Sequence, residues 1–199
     1  MMEKILWADY IKNKKSIALK VGIPLILVLG SYQFGYGNLS LVMIIIFTII
    51  TGTGLKIVQL KSNGIYNRLI SAPITKKRLF LEIASVYIGL YYLQFLPAVL
   101  ISTYYTNISV ILISFLSIFI VVCIGILIGV HVKSLGQIHL ISFFTVLPLG
   151  AVSVIPFSIS FIFPFIYLTK SIITFEGMIF STCVCIGLIS LLLFDVSRL

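Results

Sequence analysis

Long apolar runs separated by short polar segments constrain this chain more than any other feature. Of its 199 residues, 60% are hydrophobic and only 10% are charged, and the mean hydropathy is +1.23. Because a soluble domain carries about 25% charged residues, this deficit predicts an integral membrane protein. The runs are uninterrupted rather than alternating, so helices are expected to satisfy the backbone in lipid. We therefore predict an all-α membrane protein with one transmembrane domain over residues 1–199.

The positions of the runs predict six transmembrane helices. The expected spans are 17–36, 39–55, 79–105, 108–130, 138–155 and 177–194. Residues 1–20, in which aromatic residues accompany lysines, are expected to form an interfacial helix or simply a basic flank. Residues 156–176 are apolar but interrupted by Pro156 and Pro164. We expect this outer segment to form a broken hairpin of two short helices, which either are re-entrant or lie at the membrane interface.

The distribution of basic residues predicts the orientation. The chain has 14 Lys and Arg residues against five Asp and Glu, which gives a net charge of +9. In a soluble protein this excess would suggest nucleic acid, but here the basic residues flank apolar spans, so no nucleic-acid partner is expected. With the N-terminus inside, only Lys170 falls in an outer segment. The positive-inside rule therefore predicts a multi-pass cell-membrane protein with both termini cytoplasmic.

Small residues in two of the predicted spans indicate close helix packing. Gly125 and Gly129 are four residues apart in the fourth span, and the second span ends in the sequence Thr51-Gly52-Thr53-Gly54. The latter is neither a Walker A loop nor a dinucleotide fingerprint, since GK[ST] is absent and no strand precedes it. Both patterns instead predict that neighbouring helices approach closely.

The sequence lacks the usual signs of chemistry. No acidic residue lies in the middle of a span, which disfavours a proton-coupled carrier. Metalloprotease, hydrolase and phosphate-loop motifs are absent. Cys123, Cys183 and Cys185 lie within apolar runs and are expected to pack as small hydrophobic residues. His131 and His139 would need further metal ligands, and none is evident. No catalytic, cofactor or metal site is predicted, and the chain alone is not expected to be an enzyme.

Residues 56–82 form the one segment suited to contact with a water-soluble partner. They hold six of the fourteen basic residues and lie between two long apolar runs. Within them, a short amphipathic piece at 65–70 is stopped by Pro73. Thr75 and the basic residues 76–78 follow, and Thr75 is suited to cap the next helix.

The stretch from Gly64 to Arg78 resembles the cytoplasmic signature of ABC-2 type transporter permeases. That signature has a glycine, a short helix ending in leucine, then proline, an apolar residue, Ser or Thr, and a basic residue. The order of predicted elements is similar as well: an interfacial helix, a coupling helix between spans two and three, and a broken hairpin between spans five and six. The chain differs from the family at Lys61-Ser62-Asn63, where an acidic residue often precedes the glycine.

The resemblance implies a permease subunit of an ABC exporter. Residues 61–78 would be its cytoplasmic coupling segment, and a plain basic loop that only sets orientation is the alternative. The chain would pair with a second permease copy or a paralogue, and each would bind a separate ATP-binding cassette ATPase subunit that holds ATP and Mg. The residues expected to contact this ATPase are Asn63, Gly64, Ile65, Tyr66, Asn67, Arg68, Leu69, Ile70, Pro73, Thr75 and Lys76.

The predicted interior carries no charged specificity group, which favours a hydrophobic or amphipathic cargo. A peptide toxin or bacteriocin is favoured, and a lipid or drug comes next. The candidate pathway residues are Tyr32, Phe47, Thr51, Phe143 and Phe144. The alternative function is a non-transporting membrane immunity or assembly protein. A channel or secondary carrier is disfavoured by the lack of intramembrane charge and of inverted repeats.

Overall fold

The computed structural model describes residues 14–64, 76–154, 164–170 and 175–198, and these ranges are helical apart from short turns. The helices are α1 Lys14–Gln33, α2 Gly37–Ser62, α3 Lys76–Tyr105, α4 Ser109–His131, α5 Leu135–Val154, α6 Pro164–Lys170 and α7 Phe175–Arg198. Within these ranges, three helical stretches are long and apolar enough to cross a membrane: Gly37–Ser62, Phe80–Tyr105 and Ser109–His131. Shorter apolar helices cover Ala18–Gln33, Leu135–Ala151 and Ser181–Leu191. The fold is therefore that of a helical, membrane-embedded protein.

Helices α2 and α4 form the centre of the bundle. Helix α2 packs against α1, α3, α4, α5 and α6, and α4 packs against α2, α3, α5, α6 and α7. Turns of three residues join α1 to α2, α3 to α4 and α4 to α5, so the two helices of each of these pairs run antiparallel. The buried residues of α2 recur at helical spacing, as in Leu41, Ile45 and Ile49, all fully buried, and they face the neighbouring helices.

Glycines allow α2 and α4 to approach closely. A Cβ atom on Gly125 would lie 3.0 Å from Cβ of Thr53, and one on Gly129 would lie 2.9 Å from Cβ of Ile57 and 3.1 Å from the carbonyl oxygen of Gly54. No side chain fits at either position without moving the facing helix. The structure thus confirms the prediction that these small residues serve helix contact.

Helix α2 is longer than the sequence predicted. It ends at Ser62, whereas the apolar run ends at Leu55. The helix continues because Ile57 and Val58 are only 1% exposed and keep the helical spacing of the buried face. Segment 56–82 is consequently helical at both of its ends, with 56–62 in α2 and 76–82 in α3.

Other predicted features fall partly outside the described residues. Residues 1–13 of the expected interfacial helix do so, as do 156–163 and 171–174 of the expected re-entrant segment. The described parts of the latter are 175–176, which begin α7, and α6, which packs against α2, α4, α5 and α7. Its residues from Pro164 to Leu168 are buried.

Candidate functional site at the α2–α3 connection

The antiparallel order of the helices gathers basic residues at one end of the bundle, which we call the basic end. It contains the start of α1, the end of α2, the start of α3 and the turn between α4 and α5. The basic residues whose side chains are described at this end are Lys20, Lys56, Lys61, Arg78 and Lys133. The predicted coupling segment leaves and re-enters the described structure here, between α2 and α3.

Helix α2 terminates through a backbone turn that requires glycine. The N–H of Asn63 donates to the carbonyl of Gln59 at 3.0 Å, and the N–H of Gly64 donates to the carbonyl of Lys61 at 3.0 Å. Gly64 has φ +67°, the left-handed conformation that glycine adopts at helix ends without a Cβ penalty. The glycine of the predicted signature therefore has a defined role: it turns the chain out of α2.

The end of α2 is fastened to α4 by a lysine. The ammonium of Lys61 donates to the carbonyl of Val130 and, at 3.2 Å, to the carbonyl of Val132. Carbonyls in the last turn of a helix lack intrahelical partners, and a cation there also complements the helix dipole. Sequence reasoning treated Lys61 as a charge that sets orientation and missed this role. The available signal was its spacing from the buried residues Ile57 and Val58, which places its stem toward the neighbouring helix.

An apolar cluster supports the same junction. Val58 of α2 packs with Val132 of the α4–α5 turn and Ile138 of α5, and all three are buried. The turn itself is held by side chains: the N–H of Gln137 donates to Oγ of Ser134, and the N–H of Lys133 donates to Oε1 of Gln137, both at 3.3 Å. This arrangement is similar to a helix capping box. The α4–α5 turn is thus attached to α2 by both polar and apolar contacts.

The predicted ATPase contacts lie at the two ends of this connection and between them. Asn63 and Gly64 end α2, and Lys76 begins α3. Just inside α3, Arg78 and Glu82 form an exposed ion pair at 3.3 Å, one turn apart, which contributes only about 0.3–0.5 kcal/mol. The remaining predicted contacts lie outside the described residues: Ile65, Tyr66, Asn67, Arg68, Leu69, Ile70, Pro73 and Thr75.

Tyr32, a predicted pathway residue, belongs to a polar cluster at the opposite end of the bundle. Its hydroxyl hydrogen-bonds to Oδ1 of Asn38 and, at 2.5 Å, to Oγ of Ser102. Its ring stacks on that of Tyr105 with centroids 4.6 Å apart and lies where a Cβ of Gly37 would otherwise be. The cluster joins α1, α2 and α3 and has a clear packing role.

The other predicted pathway residues lie elsewhere. Phe47 is half exposed and lines a groove between α1 and α2. The hydroxyl of Thr51 donates to the carbonyl of Phe47 at 2.5 Å. Phe143 and Phe144 are both exposed on α5, edge to face with centroids 6.1 Å apart. The described structure therefore brings Thr51 to Phe47 and Phe143 to Phe144, while Tyr32 lies in the polar cluster with Asn38 and Ser102.

The described ranges contain no evident site for metal binding or for thiol chemistry. There, no group of three or more His, Cys, Asp or Glu side chains could hold a metal ion. Cys123 and Cys185 are buried, Cys183 is exposed, and all three are free thiols.

No protein-family model matches this chain, and no curated protein or solved structure is significantly similar to it. The composition and fold define a class, that of helical membrane-embedded proteins.

Proposed function

We propose that this protein is the permease subunit of an ATP-driven ABC exporter. In this proposal a separate ATPase subunit binds ATP and Mg, and its motion reaches the membrane helices through residues 61–78. The permease pairs with a second copy or a paralogue. The cargo is hydrophobic or amphipathic, with a peptide toxin or bacteriocin preferred over a lipid or drug.

The junction between α2 and the coupling segment carries this proposal. Gly64 turns the chain out of α2 into residues 65–75, and Lys61, three residues earlier, is bonded to the end of α4 and the α4–α5 turn. A force applied to 65–75 would therefore act on α2, α4 and α5 together. A loop that served only to set orientation would not need such an attachment.

The packing of the bundle supports transmission beyond this junction. Helices α2 and α4 touch through glycines, and close-packed interfaces of this kind shift as units rather than deform continuously. A displacement of the end of α2 would thus move α4 with it. We propose six spans with both termini cytoplasmic, so that the basic end faces the ATPase.

The test is association with an ATPase subunit. The tagged chain is purified from its native membrane, and co-purified proteins are identified by peptide mass spectrometry and assayed for ATP hydrolysis. We expect an ATPase with Walker A and B sequences. The double variant Leu69→Asp/Ile70→Asp should retain at least about tenfold less of this ATPase, since the two apolar side chains that the proposal places against it are replaced by charges. Leu135→Asp is the matched control, because Leu135 is an exposed leucine at the same end of the bundle.

Two results would contradict the proposal. One is a wild-type protein that inserts in the membrane but brings down no ATPase, which would favour the immunity or assembly alternative. The other is a Leu69→Asp/Ile70→Asp variant that retains the ATPase as the Leu135→Asp control does.

A further inference from the structure

A groove between α1, α2 and α3 has two halves of different polarity. The half nearer the basic end has a volume of about 240 Å³, and its lining includes Lys20, Lys56 and Gln59. The other half has a volume of about 570 Å³ and is lined mainly by apolar side chains, among them Ile23, Leu27 and Phe47. The two halves are continuous, because Lys20, Thr48 and Gln94 line both of them.

The sequence of α2 creates this change of polarity. Ile44, Thr48, Gly52 and Lys56 follow one another at intervals of four residues, so they share one face of the helix. Gly52 has no side chain, and the hydroxyl of Tyr91 from α3 occupies the space where a Cβ would lie. Along this face the lining passes from aliphatic to cationic.

The charge at the polar half has one sign. Lys20 of α1 and Lys56 of α2 both line it, and no Asp or Glu is among the described residues that do. Neutral groups capable of hydrogen bonding lie beside the lysines, including the side chains of Gln59, Tyr91 and Gln94. This combination complements a phosphate group.

The groove as a whole matches the depth of one lipid leaflet. Met43 lines the apolar half and Lys56 the polar half, and the thirteen steps from one to the other along α2 correspond to about 20 Å of helix. One leaflet of a bilayer, with its headgroup region, is about 20–22 Å thick. Leu19, Ile23 and Leu27 are exposed along the edge of the groove, so an acyl chain could enter sideways from the membrane.

We propose that the groove binds an anionic phospholipid from the leaflet at the basic end. Its phosphate lies at Lys20 and Lys56, and an acyl chain lies along Ile23, Leu27 and Phe47. This site does not depend on the transport function proposed above, because any membrane protein with this groove would present it to the bilayer.

The test compares lipids on the purified full-length chain in detergent by native mass spectrometry. Phosphatidylglycerol and phosphatidylcholine with the same acyl chains are added at equal concentration. We expect phosphatidylglycerol to bind at least about tenfold more tightly, and Lys20→Gln/Lys56→Gln to remove that preference. Lys133→Gln is the matched control: Lys133 is exposed at the same end but does not line the groove. All three lysines are exposed, so these variants should fold.

A second pair of variants tests the position of the acyl chain. Thr48→Phe fills the point where the two halves meet and should lower phosphatidylglycerol binding at least about fivefold. Thr51→Phe places the same ring three residues away on α2, outside the lining, and should leave binding unchanged. Phosphate alone, up to millimolar concentrations, should not displace the lipid.

Five outcomes would overturn the assignment. Two concern the headgroup: equal binding of the two lipids, and an equal loss of the phosphatidylglycerol preference in Lys133→Gln and Lys20→Gln/Lys56→Gln. Two others are full phosphatidylglycerol binding by Thr48→Phe, and displacement of the lipid by inorganic phosphate, which would reveal an anion site without a lipid. If Thr48→Phe fails to fold, the headgroup comparison and the lysine variants decide alone. A dimer that excludes phosphatidylglycerol would show that a second copy fills the groove and would likewise overturn it.

Discussion

Lys61 donates a hydrogen bond from its ammonium to the carbonyl oxygen of Val132, 71 residues later in the chain and 3.2 Å away. The same ammonium donates to Val130 in the last turn of α4. One side chain thereby connects the last turn of α2 with the end of α4 and the turn that leads into α5. The bond lies three residues before the glycine at which the chain leaves α2.

Replacing Lys61 should loosen this junction. Lys61→Met keeps most of the apolar stem but removes the donors, so the two carbonyls lose a charged partner. We expect a loss of about 1–3 kcal/mol in the free energy of unfolding, measured as a lower melting temperature in detergent. Lys133→Met is the control, because the Lys133 side chain is exposed at the same end. Equal melting temperatures for the two variants would show that the Lys61 bonds do not stabilise the fold.

The α2–α4 contact should not tolerate even one added methyl group. A Cβ on Gly129 would lie 2.9 Å from Cβ of Ile57 and 3.1 Å from the backbone oxygen of Gly54, and neither atom can swing away as the tip of a long side chain could. We expect Gly129→Ala to cost about 1–3 kcal/mol by overpacking, measured by thermal unfolding in detergent.

Gly89 supplies the matched control for this prediction. It also lies within a helix, but nothing is within 4 Å of its Cβ position. Gly89→Ala should therefore be neutral or stabilise the protein by up to about 1 kcal/mol, the helix propensity difference between the residues. If Gly129→Ala behaved in the same way, the close approach of α2 and α4 would be wrong.

The proposed orientation can be tested with single cysteines. In a background with Cys123, Cys183 and Cys185 replaced by serine, Asn107→Cys lies in the α3–α4 turn and Gly136→Cys near the start of α5, both at exposed positions. We expect a membrane-impermeant maleimide to label Asn107→Cys in intact cells and Gly136→Cys only after permeabilisation, because positive charge is retained inside. The reverse pattern would place the basic end outside the cell.

The sequence predicted the turns and the helix contact better than the helix ends. The turn after Tyr105 was predicted to within one residue, and the Gly125 and Gly129 pattern indicated a helix contact correctly. The first turn was placed too late, since α1 ends at Gln33 and α2 begins at Gly37. The end of α2 was placed seven residues too early, because Lys56 and Gln59 interrupt the apolar run. They occupy the exposed face of a helix whose other face, with Ile57 and Val58, remains buried.

Bonds between distant residues could not be predicted in this way. The Tyr32 hydroxyl meets Ser102 across 70 residues, and no local pattern in either helix specifies that partner. The same holds for Lys61 and for the groove, which forms only when the stripe on α2 faces both α1 and α3. Periodicity indicates which face of a helix is buried, whereas the identity of the neighbour depends on how the helices are arranged.

The packing of Tyr91 against Gly52 has a consequence for how this sequence can diverge. The hydroxyl of Tyr91 occupies the space that a Cβ of Gly52 would need, and the ring of Tyr32 does the same at Gly37. Neither glycine can accept a larger residue while its tyrosine remains in place. The two positions of each pair should therefore covary in homologous proteins: a substitution at 52 should be accompanied by one at 91, and a substitution at 37 by one at 32.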